Sequence, residues 1–103
     1  MKEHNIHMEI SVITEMEMVV GCRNKTELRK LDKFIKRFHV IQLQNRISVC
    51  STKLLRQYRL SHGLLIPDSL IAATAVVMDI PLVTKNRKDF RFIDGLHLAR
   101  DPH

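Results

Sequence analysis

Apolar positions along this chain alternate between short β-branched runs and stretches of helical spacing. Ile6 to Ile13 reads as a strand, with β-branched Ile10, Val12 and Ile13. Thr14-Glu15-Met16-Glu17 then has the form of a capping box, and Met16, Val19 and Val20 supply the apolar stripe of a first helix. Asn24-Lys25-Thr26-Glu27 opens a second helix, with Leu28, Leu31, Phe34 or Ile35, and Phe38 on one face. Arg29, Lys30, Lys33, Lys36 and Arg37 line the opposite face. Val40 to Leu43 suits a short buried strand, and Asn45 is placed to cap a helix running to about Leu60, stopped by Gly63. Asp68 to Asp79 forms an apolar helix whose Ala72, Ala73 and Ala75 allow close packing. Pro81–Thr84 and Gly95–Leu98 read as two further strands.

Strands alternating with helices predict an α/β fold with a mostly parallel sheet covered on both faces. Open sheets of this kind bind ligands beyond the carboxyl ends of their strands. Glu17 lies just after the first strand, Asp68 at the mouth of a helix after Leu64-Leu65-Ile66, and Asn86 just after Thr84. All three therefore sit on segments able to face one end of the sheet.

Length and composition narrow the class. A chain of 103 residues with 45% apolar content is expected to form a single domain over 1–103. The longest apolar run, Ser69 to Met78, is too short to span a bilayer. Met1-Lys-Glu-His lacks the apolar stretch of a signal peptide, so a cytoplasmic location is expected. Cys22 and Cys50 sit in apolar-periodic segments and are expected as reduced core thiols. Six histidines, among them His4 and His7, show no zinc spacing with Cys or His partners in the body of the chain. The net charge of +6 points to an anionic partner, nucleic acid first.

Clustered carboxylates suit a hard divalent cation such as Mg²⁺ or Mn²⁺, which polarises a phosphoryl oxygen and lowers the pKa of a bound water. Each candidate also has an ordinary reading. Glu17 at the third position of a capping box would bond back to the Thr14 backbone. Asp68 before an apolar helix would act as its N-cap. Asn86 and Asp89 would shape a turn after a strand. Lys85, Arg87, Lys88 and Arg91, interleaved with Phe90 and Phe92, are placed either to hold phosphates or to form a solvated loop.

Ile10-Ser-Val-Ile-Thr-Glu-Met-Glu17-Met-Val-Val-Gly21, Ile66-Pro-Asp68-Ser-Leu-Ile-Ala-Ala-Thr-Ala75, Leu82-Val-Thr-Lys-Asn86-Arg-Lys-Asp89-Phe90 and Phe92-Ile-Asp-Gly95-Leu-His-Leu98 together resemble the PIN-domain ribonucleases, most closely the VapC-type toxins of toxin–antitoxin pairs. The resemblance runs over nearly the whole chain. It implies a three-layer α/β/α domain acting as an Mg²⁺- or Mn²⁺-dependent endoribonuclease. Glu17, Asp68 and Asn86 or Asp89 would be its metal-site and catalytic residues, and Lys85, Arg87, Lys88 and Arg91 its RNA-binding residues. It also implies a homodimer silenced by an antitoxin. Relatives begin with a central strand ending in an Asp-Thr-Asn-like motif, for which this chain has no counterpart. The expectation is therefore an N-terminally truncated module, three corners of a four-cornered acidic site. The alternative is a non-catalytic fragment that binds RNA or an antitoxin.

Overall fold

The computed structural model describes residues 8–99. The chain falls into two compact units that divide between Gln42 and Leu43.

In the first unit, strand β1 (Met8–Ser11) leads directly into helix α1 (Val12–Val20), and helix α2 (Lys25–Ile35) leads into strand β2 (Phe38–Ile41). The strands pair in parallel, Met8 opposite Phe38 through Ser11 opposite Ile41. A parallel pair needs a long crossover, and α1 and α2 supply it. The α/β organisation expected from the sequence is thus present as helices around a small parallel sheet.

Two boundaries differ from the sequence reading. The strand predicted to reach Ile13 ends at Ser11, whose hydroxyl accepts a hydrogen bond from the Ile13 N–H at 3.1 Å and caps α1. Val12 and Ile13 become helical because a cap and tertiary burial outweigh a β-branched propensity penalty of only a few tenths of a kcal/mol. Thr14 consequently lies inside the helix, and Glu17 sits in its second turn rather than in a capping box. The second strand spans Phe38–Ile41 instead of Val40–Leu43, in the register that its pairing with β1 imposes. Residues 6 and 7 of the predicted first strand lie outside the described residues.

The start of α2 follows its sequence. Asn24 Oδ1 accepts from the Glu27 N–H at 2.9 Å, and Glu27 Oε1 accepts from the Arg23 N–H at 2.8 Å. No α2 side chain is buried, and Leu28 and Phe34 remain exposed although they lie on its apolar face.

The second unit is built on helices α3 (Asn45–His62) and α4 (Ile66–Met78), which pack together. Ile47, Ser51, Leu54 and Tyr58 form the buried stripe of α3, at spacings of three and four residues. Ser69 and Ile71 through Ala75 are buried on α4, where small side chains let the two helices approach. Gln44, not Asn45, is the N-cap of α3, and it makes no side-chain capping bond. Gly63 ends α3 at φ 72°, a left-handed conformation that favours glycine, and its N–H donates to the Arg59 carbonyl at 2.8 Å. Thr74 bonds back to the Leu70 carbonyl at 2.8 Å, as its place in the helix predicts.

After α4 the predicted strands at 81–84 and 95–98 contract to one parallel bridge, Leu82 with Leu98. Two backbone bonds hold it, Leu82 N–H to the His97 carbonyl and Ala99 N–H to the Leu82 carbonyl, both 2.8 Å. Both runs are short, and Pro81 has no N–H to contribute. Between them a single 3₁₀ turn (Arg87–Asp89) precedes buried Phe90 and Ile93.

Cys22 and Cys50 are free thiols but half-buried rather than core residues. Burial pushes the Cys50 thiol pKa up, with Lys53 opposing the shift. Among the described residues no helix is long and apolar enough to cross a membrane.

Candidate active site

Asp68 lies in the first turn of α4, three residues after the N-cap, Leu65. The helix starts earlier than the Asp68 boundary predicted from sequence because Pro67 suits a first turn, where an N–H has no intrahelical partner. Asp68 is therefore not the N-cap. Its half-buried carboxylate still benefits from the positive end of the helix.

Asp68 lines a concavity of about 170 Å³ together with Lys88, Asp89, His62, Phe92 and the Gly63–Leu65 backbone turn. Two sequence-predicted acids and one predicted phosphate-binding lysine thus share a pocket, although Asp68 and Asp89 are separated by most of α4 and the loop after it. The 3₁₀ turn presents Lys88 and Asp89, its start closed by the Asp89 N–H donating to the Asn86 carbonyl at 3.0 Å.

The other predicted residues occupy different positions. Asn86 is exposed, and its N–H donates to Thr84 Oγ1 at 3.0 Å, forming the turn that sequence alone suggested as the ordinary reading. Arg87 braces the loop by donating to the Ala99 carbonyl at 2.7 Å. Lys85 and Arg91 are exposed on the same loop, and neither is among the residues that wall the concavity. Glu17 is exposed on α1 of the first unit. Among the described residues no group of three or more His, Cys, Asp and Glu side chains is placed to hold a metal ion. His4, His7 and His103 lie outside the described residues.

Sequence reasoning missed His62 and Phe92 as pocket residues. Their rings stack at a centroid distance of 4.1 Å and an interplanar angle of 10°. The available signal was Tyr58 four residues before His62, a spacing that sets two rings on one helix face. A larger apolar concavity of about 710 Å³ adjoins, lined by Leu55, Leu64 to Pro67, and the arginines Arg56 and Arg59. Leu65 and Ile66 are exposed within it.

A family model described as PIN domain matches residues 2–96. Ribonuclease VapC1 of Methanocaldococcus jannaschii is 34% identical over 83 residues, which make up 79% of this chain and 60% of that protein. Ribonuclease VapC19 of Mycobacterium tuberculosis is 36% identical over 87 residues, 84% of this chain and 69% of the relative. Among solved structures, VapBC2 from Rickettsia felis bound to a DNA fragment from their promoter aligns with a TM-score of 0.76 at 31% identity, over 90% of this chain and 74% of that one. The chain thus spans about three fifths of the VapC1 relative.

Proposed function

This chain belongs to the PIN-domain family, and on that premise we propose that it is the endoribonuclease module of a toxin–antitoxin pair. The observation that carries the reading is the shared pocket of Asp68, Asp89 and Lys88. Relatives named as ribonucleases and a neighbour solved as a VapBC assembly support the same reading.

The two carboxylates fit Mg²⁺ or Mn²⁺, which takes one or two protein carboxylates and fills its remaining positions with water and phosphate oxygens. When bound, such an ion polarises the phosphoryl oxygen and lowers the pKa of a water molecule. In this proposal Asp68 and Asp89, which line one concavity, hold the ion. Lys88 draws the scissile phosphate into the pocket as a point charge. Asn86 closes the turn that presents Lys88 and Asp89, its backbone carbonyl accepting from the Asp89 N–H at 3.0 Å. Lys85, Arg87 and Arg91 hold the flanking phosphates from the same loop.

An antitoxin is the proposed protein partner, and the module acts in the cytoplasm as a homodimer. The apolar concavity beside Leu65 and Ile66, edged by Arg56 and Arg59, has the chemistry of a protein contact.

Labelled single-stranded RNA incubated with the soluble chain in Mg²⁺, Mn²⁺ or EDTA tests the reading. Cleavage is expected with either metal and lost in EDTA and in Asp68→Asn. Cleavage that persists in EDTA would overturn it. Retained RNA binding without cleavage would favour a non-catalytic binding module.

A further inference from the structure

We propose that the stacked His62–Phe92 pair is a nucleobase platform at the edge of the acidic pocket, so that the substrate is RNA with an unpaired base at this point. The inference rests on the ribonuclease reading of the same site and adds the part of the substrate that the site holds.

Several restraints converge on the pair. His62 is the last residue of α3, and its side chain is exposed although one ring face lies against Phe92 at 4.1 Å. Tyr58 supports both rings edge-on, with centroids 5.2 Å from Phe92 and 5.9 Å from His62. Tyr58 is itself buried, and its hydroxyl accepts the Asp94 N–H at 3.0 Å. Ser61 Oγ lies 2.7 Å from His62 Nδ1 and holds the imidazole against rotation about its ring axis. The result is an aromatic pair with an exposed His62, lining the same concavity as Asp68, Lys88 and Asp89.

A nucleobase recognises such a surface through its π-face. Every base has one, so the platform distinguishes unpaired from paired bases rather than one base from another. Lys88 beside it suits the phosphate that joins the stacked nucleotide to its neighbour. The base is thereby anchored while its phosphate faces the carboxylates.

The test is fluorescence anisotropy with the full chain and a labelled oligouridine, in EDTA so that cleavage does not intervene. The same oligomer made abasic at every position serves as the second ligand. His62→Ala is expected to weaken oligouridine binding roughly 5- to 150-fold, the range for losing one base–aromatic stack. His62→Phe should retain it. On the abasic oligomer the wild type and His62→Ala should bind alike. His62→Leu, of similar bulk but without a π-face, should behave as His62→Ala does. It also substitutes for that variant if His62→Ala melts early. Equal oligouridine affinity for wild type and His62→Leu would overturn the platform, as would an equal loss on both oligomers or no binding by the wild type. Failure of metal-dependent cleavage with His62-dependent stacking intact would strike the ribonuclease reading alone.

Discussion

At the buried pair Ser51 and Ser69, hydrogen-bond direction follows from counting protons. The two hydroxyl oxygens are 2.6 Å apart, and Ser69 Oγ also donates to the Ile66 carbonyl at 2.7 Å. Ser69 has one proton, which that bond uses, so Ser51 donates to Ser69. Removing the acceptor leaves a buried donor unsatisfied, whereas removing the donor leaves Ser69 still bonded. Ser69→Ala is therefore expected to cost about 1–3 kcal/mol, and Ser51→Ala about 1 kcal/mol or less. Urea denaturation of both variants checks the order, and an equal or reversed cost would refute the assignment. Residue identity marked the candidate acids, but not their surroundings. Asp68 and Asp89 were legible as candidates, whereas their shared pocket depends on how the loop after α4 folds back.

At the scale of elements, the helix termini separate what is local from what is not. Asn24 caps α2 as read, because all partners in that cap lie within four residues. The Arg23 guanidinium, at 2.9 Å, and the Arg23 N–H hold the Glu27 carboxyl below the usual carboxylate range. A carboxylate with a depressed folded pKa stabilises fully above its unfolded pKa and loses that contribution as pH falls through the folded value. Wild type should thus exceed Glu27→Gln in melting temperature at neutral pH, with the gap closing in acid. Thermal melts across that range check it, and a gap that widens in acid would contradict it. The effect will be small, because the pair is exposed and screened. At α1 local reading failed: the Thr-x-x-Glu pattern points to a cap at Thr14, whereas Ser11 caps the helix.

For the whole molecule, charge is the property with reach. Two basic clusters, the α2 face and the 85–91 loop, lie in different units. If the loop holds the phosphates, Lys88→Ala should reduce the slope of log K against log salt by about 0.7 on single-stranded RNA, one contact's worth. Lys30→Ala, on the solvated face of α2, should leave the slope unchanged. Anisotropy titrations at several salt concentrations measure both, and the reverse pattern would move the RNA path to α2.

Sequence alone determined the α/β alternation, the order of the helices, the Asn24 cap, the Gly63 stop and the Thr74 back-bond. Each depends on side-chain period or on groups within about one helical turn, where chain connectivity already brings the partners together. Tertiary structure decided the end of β1, the contraction of two predicted strands to the Leu82–Leu98 bridge, the Asp68–Asp89 pocket and the His62–Phe92 stack. In those cases several local conformations are close in energy, and burial and backbone pairing with residues far along the chain select among them.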